Sequence, residues 1–103
     1  MLNFSLEITE TAREDIRKIH IYIAGKLRNP KAASKLADKI ISSSESLSVS
    51  PKRYRVRRKD SKGQEFRYMP VDNFMIIYSV DDSRHLVKVL HIVYSRRNLE
   101  NMI

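Results

Sequence analysis

The pattern of this 103-residue chain predicts an α+β domain. Its parts are an N-terminal strand, an antiparallel helical hairpin and a three-stranded antiparallel meander, forming one small twisted sheet with the helices on one face. Two observations predict the hairpin. Apolar residues recur every three or four positions in two successive stretches of the first half, and Asn29-Pro30 between them reads as a helix stop followed by a helix start. A third observation predicts the sheet: after residue 64 the chain turns to β-branched and aromatic runs separated by short Asp/Asn/Ser connections. A core needs on the order of 100 residues, so residues 1–103 are expected to form a single domain.

Each element has a local reason. Residues 3–8 (NFSLEI) alternate, with Phe4, Leu6 and Ile8 on one side, as a half-buried strand requires. Thr9 and Thr11 both offer N-caps to the following helix, and Thr11-Ala12-Arg13-Glu14 matches a capping box. Ala12, Ile16, Ile19, Ile23 and Leu27 make that helix's apolar stripe, Gly25 weakens its end, and Arg28-Asn29-Pro30 closes it. Asn29 then caps the second helix, with Pro30 at its first position, where a missing N–H costs nothing. The second stripe is Ala33, Leu36, Ala37, Ile40, Ser44 and Leu47, and its small residues let two helices approach closely. So short a connection requires antiparallel packing.

Strands are expected over 65–71 (EFRYMPV), 74–80 (FMIIYSV) and 86–94 (LVKVLHIVY), joined by tight turns at Asp72-Asn73 and at residues 81–84. Pro70 has no N–H to give to a ladder, so its strand should pair on one side only at that point.

Composition excludes several function classes. With no cysteine there are no disulfides, Cys–zinc sites or thiol nucleophiles. Two glycines, Gly25 and Gly63, are too few for a phosphate-binding loop. His20, His85 and His91 show no metal-ligand spacing, so neither a metal nor any other cofactor is expected. No apolar run approaches the roughly 18 residues of a membrane span. Residues 1–15 carry five charges where a secretory leader needs an apolar stretch, so a cytoplasmic protein without membrane partners is expected.

The net charge of +8 is concentrated in the second half, and six of the eight residues from Lys52 to Lys59 are basic. This run reads as a solvated loop between helix and strand, as a polyanion footprint, or as a surface for an acidic protein; charge alone does not separate these. The candidate target- or nucleic-acid-binding residues are Arg53, Arg55, Arg57, Arg58, Lys59, Arg67, Arg96 and Arg97, with Tyr54, Phe66 and Tyr68 offering rings for base stacking. Strand periodicity places Arg67 on the face opposite Phe66 and Tyr68. If the first and last meander strands lie close, Arg67 and Arg97 converge as a phosphate clamp beside Tyr94. His91, at period two with Val87, Val89 and Val93, is expected to be a half-buried core histidine, and His20 likewise.

Taken together, these elements resemble the small RelE/ParE superfamily toxins. The resemblance rests on the capped helix from Ala12 to Ile23, the junction Asn29-Pro-Lys-Ala-Ala33, Arg67 followed by Val71-Asp-Asn-Phe-Met-Ile-Ile-Tyr-Ser-Val-Asp81, and the closing stretch Val87 to Asn98. It covers nearly the whole chain and implies the toxin of a bacterial type II toxin–antitoxin module, neutralised by a cognate acidic antitoxin. The hairpin junction is closer to the ParE-like branch, whose members poison DNA gyrase through the helical hairpin and C-terminal part, without catalytic residues. The alternative is a RelE-like, metal-independent endoribonuclease that cuts mRNA on the ribosome, in which Arg67, Tyr94 and Arg97 would be catalytic. Met75 stands where such nucleases carry an arginine on the strand. A basic binding module without toxicity is the third reading.

Overall fold

Thr9 decides where the first helix begins. In the computed structural model, which describes residues 3–95, β1 (Ser5–Ile8) ends at Thr9 and α1 (Glu10–Ile21) starts immediately after it. The Thr9 hydroxyl accepts from the Ala12 N–H at 3.2 Å and donates to the Val89 carbonyl at 2.9 Å, so one side chain caps the helix and ties it to the sheet. Thr11 therefore lies inside the helix. The expected capping box at Thr11–Glu14 does not form, and Glu14 pairs with Arg17 instead. Thr9→Val, which keeps the shape and removes the hydroxyl, is expected to cost about 1–2 kcal/mol in urea unfolding.

The first helix does not run evenly to Leu27. It passes into a π-helical segment, Tyr22–Lys26, where the Leu27 N–H reaches the Tyr22 carbonyl five residues back. The extra residue per turn carries later side chains roughly 100° around the axis. Leu27 thus leaves the stripe and is 55% exposed, contrary to the sequence expectation. In α2 (Pro30–Ser46) the expected features hold: Asn29 Oδ1 accepts from the Ala32 N–H at 3.1 Å, and Ala33, Ile40, Ser44 and Leu47 are buried.

The remaining strands are β2 (Val56–Lys59), β3 (Glu65–Val71), β4 (Phe74–Asp81) and β5 (Leu86–Tyr94). They form a five-stranded mixed sheet in the order β1-β5-β4-β3-β2. β2 through β5 are antiparallel neighbours in chain order, whereas β1 lies parallel to β5 at the opposite edge. The meander thus has four strands rather than three. Its first strand is the basic run itself, which has no hydrophobic alternation and gains its extended form from pairing with β3. An edge strand tolerates such charge because one side remains in water. Pro70 pairs only with Met75 of β4, since the ladder with β2 stops at Arg67, as its missing N–H requires.

Both helices cover one face of the sheet, where Ala12, Ile40, Leu47, Met69, Val71, Ile76, Tyr78, Val87, Val89 and Ile92 make the core. Tyr68 and Ile77 are buried on the other face with Phe66, Met75 and Val93 around them. A bulge at Leu90, between the pairs Ile77–His91 and Tyr78–Val89, reverses the side-chain phase of β5. His91 is consequently exposed rather than sharing a buried face with Val87 and Val89, and its Nδ1 lies 3.5 Å from Asp15 Oδ2. The same carboxylate accepts from the Ile92 N–H at 3.0 Å, beyond the end of β1. His20 is half-buried, as expected, with Nε2 3.4 Å from Ser34 Oγ. Among the described residues, no helix is long and apolar enough to cross a membrane.

Candidate functional site

Two surfaces stand out, and neither resembles a closed catalytic pocket. The first is the basic segment from Lys52 to Lys59, which leaves the buried Pro51 and becomes the edge strand β2. Its exposed cations have varied surroundings. Lys52 pairs with Asp82 at 2.8 Å and Lys59 with Glu65 at 3.5 Å, while Arg53 donates to Ser46 Oγ at 2.6 Å and lies over the Tyr54 ring. Arg55 and Arg58 form no ion pair among the described residues. A bulge between Val56 and Arg58 sets Arg57 and Arg58 against a single β3 residue, Phe66. Arg58 therefore lies on the helix-free face, and the Arg57 guanidinium sits 5.0 Å from the Tyr68 ring centroid on that same face. Tyr68 is only 3% exposed, so its ring is not open for base stacking, whereas Phe66 is half-buried.

This segment is held from the buried side of the sheet. The Tyr78 hydroxyl donates to the Pro51 carbonyl at 2.7 Å. Arg67 Nη1 donates to the Tyr54 carbonyl at 2.5 Å and reaches the Lys52 carbonyl at 3.5 Å. Arg67 and Tyr78 are register partners on the helix-covered face, opposite Phe66 and Tyr68 as periodicity requires. The Arg67 side chain is 11% exposed, with Glu65 4.0 Å away at its edge.

The second surface is an apolar groove at the C-terminal end of α1, about 620 Å³, lined by Ile19, Tyr22, Ile23, Leu27, Phe74 and Tyr94. Tyr22 and Leu27 are more than half exposed, and Tyr94 is 36% exposed with its ring edge-on to Phe74 at 5.6 Å. Lys18 stands at the groove's margin. The π-helical segment creates this groove by turning Leu27 outward, a feature that the regular apolar spacing of the sequence conceals.

The predicted Arg67–Tyr94 grouping is not assembled. β4 lies between their strands, and register sets Arg67 opposite Tyr78 but Tyr94 opposite Phe74, roughly 13 Å along the strands and roughly 10 Å across them. Arg96 and Arg97 lie outside the described residues. Sequence reasoning passed over Tyr78, whose place in a strongly apolar strand reads as core and hides its polar tip. Among the described residues no three His, Asp or Glu side chains are grouped to hold a metal ion.

Burial pushes the Tyr78 phenol from its ordinary value of 10 up to about 12, with the Arg67 and Arg53 charges opposing the rise. The folded state thus favours the neutral phenol. That contribution is complete below the unfolded value near pH 10 and is lost as pH climbs through about 12. Stability in urea is expected to fall by about 2–3 kcal/mol across this window. Tyr78→Phe should lack this part of the alkaline slope.

No curated protein sequence matches the chain significantly. Among solved structures it is similar to the chromosomal ParDE toxin–antitoxin system of P. aeruginosa, with a TM-score of 0.72 at 20% identity over 88% of this chain and 95% of that one. It is also similar to an archaeal RelE–RelB complex from Pyrococcus horikoshii, with a TM-score of 0.65 at 14% identity over 94% and 100%. A RelBE toxin–antitoxin complex from Mycobacterium tuberculosis gives 0.60 at 20% identity over 91% and 93%. At these identities the likeness establishes the shared fold. The family is established by sequence: residues 6–99 match the profile described as the ParE toxin of the type II toxin–antitoxin system parDE, and the chain therefore belongs to that toxin family, within the RelE/ParE superfamily.

Proposed function

We propose that this toxin arrests bacterial growth by binding DNA gyrase, without cleaving RNA itself, and that an acidic antitoxin neutralises it. The observation that carries the choice of target is the position of Arg67. Metal-free RNA cleavage needs a base, a leaving-group acid and a fixed cation within reach of one phosphate. Here the Arg67 guanidinium is committed to backbone carbonyls and Tyr94 stands two strands away. Met75, which occupies the nuclease arginine's place in the resemblance, packs beside Tyr68 and Ile77. The two exposed surfaces are binding surfaces by composition: one basic, one apolar.

The antitoxin part draws on the structural neighbours, which include toxin–antitoxin complexes. A partly disordered acidic chain that folds on binding covers a large surface at once. Its apolar residues fit the groove at Tyr22, Leu27 and Tyr94, and its carboxylates fit the basic segment. A second reading, mRNA cleavage on the ribosome, is favoured by Arg57 and Arg58 sharing the helix-free face.

Pulse labelling after tightly controlled induction in a bacterium separates the two. DNA synthesis is expected to stop first, with induction of the DNA-damage response. If protein synthesis stops first, mRNA cleavage is the correct reading. Absence of any growth defect would assign the chain to the non-toxic binding class.

A further inference from the structure

We propose that the segment from Lys52 to Lys59 is a preorganised binding surface, and that Tyr78 and Arg67 are the positioning residues that hold it in place. They act from the buried side of the sheet, through backbone carbonyls, without touching the partner. The occupant is the acidic antitoxin of the proposed function, whose carboxylates match the six cations of this segment; the proposal rests on that reading only for the occupant, and the latch itself is testable without it.

Three observations lead here. Residues 50–55 belong to no helix or strand, and within that stretch only a long Arg53 N–H to Ser50 carbonyl contact of 3.5 Å joins backbone to backbone. Such a connection carries carbonyls that need donors from elsewhere. The sheet supplies them: the Tyr78 hydroxyl serves Pro51, and Arg67 Nη1 serves Tyr54 and reaches toward Lys52 at 3.5 Å. Finally, the side chains on this segment are themselves braced, Arg53 against Ser46 and Met69 and Lys52 against Asp82.

Long basic side chains on a loose connection would have to be ordered at the moment of binding, at a free-energy cost for each one immobilised. Fixing the backbone beforehand removes part of that cost. An arginine is suited to this task because its planar Nη1 carries two N–H groups in fixed directions, one available to each carbonyl, whereas the N–H groups of a lysine ammonium rotate freely. Arg67 on this account is neither a catalytic group nor a contact residue. Its charge is hidden, and its effect on binding passes through the order of Arg53, Arg55, Arg57 and Arg58.

The test compares the full chain with Tyr78→Phe, which removes one hydroxyl and leaves the formal charge unchanged, and with Arg67→Lys, which keeps the charge and loses the fixed N–H directions of the planar guanidinium. Amide hydrogen exchange is read for residues 52–59 and for the core strands β4 and β5, together with the salt needed to elute each protein from heparin. Both variants are expected to exchange about tenfold faster in 52–59 with little change in β4 and β5, and to elute at lower salt.

Unchanged exchange in 52–59, or acceleration spread evenly over the whole chain, would overturn the latch. Local acceleration with wild-type elution would overturn the claim that preorganisation serves binding. A wild-type chain that arrests no growth refutes the toxin reading, while exchange and elution still judge the latch.

Discussion

Truncating Leu47 to alanine is expected to lower stability by about 3–4 kcal/mol, the cost of a large cavity in a core that cannot collapse. Leu47 is fully buried and sits at the C-terminus of α2, next to Ser48, whose carbonyl accepts the Phe4 N–H at 2.8 Å. The leucine therefore supports the seam where the hairpin meets β1. A domain of this size holds about 5–15 kcal/mol in total, so the loss is a large share of it. The melting temperature should fall by roughly 15 °C or more. Leu27→Ala is the matched comparison, because the sequence periodicity places both leucines on buried stripes. With its side chain turned outward, Leu27 should cost less than about 0.5 kcal/mol. Equal effects in urea unfolding would contradict the outward rotation produced by the π-helical segment.

Antitoxin binding should stabilise the toxin by a comparable amount in the opposite direction. For a nanomolar complex with free antitoxin near 1,000 times Kd, the gain is about 4 kcal/mol. The toxin's melting temperature should rise by roughly 15 °C or more. The two surfaces contribute differently. Raising salt from about 0.1 to about 0.5 M should weaken binding through the basic segment, because exposed charges are screened at that strength. The contribution of the groove should persist. Tyr22→Ala, which removes an exposed ring from the groove, is expected to cost about 2 kcal/mol of affinity, close to thirtyfold in Kd. A salt-insensitive affinity would mean that residues 52–59 face away from the antitoxin. An unaffected Tyr22→Ala complex would mean that the groove is not its seat.

The two comparisons share a physical theme, which is how much of a side chain's fate is local. The caps at Thr9 and Asn29, the stripe of α2 and the one-sided pairing at Pro70 are readable because they depend on neighbours within a few residues in sequence. The candidate site was legible only in its charge. Six basic residues in eight announce a surface, but their extended form comes from the β3 partner and their face from a one-residue bulge. A bulge likewise moved His91 out of the valine face, since one extra residue reverses the inside–outside alternation of everything beyond it.

By itself, then, the sequence determined the α+β class, the helical hairpin, the three apolar strands and the basic character of the surface, because periodicity, capping and composition act over short stretches of chain. Tertiary structure alone decided that β1 runs parallel to β5, that β4 separates Arg67 from Tyr94, and that Arg67 and Tyr78 hold the Pro51–Tyr54 backbone. These depend on contacts between residues far apart in sequence, and on single-residue shifts of phase in a helix or strand that no local pattern records.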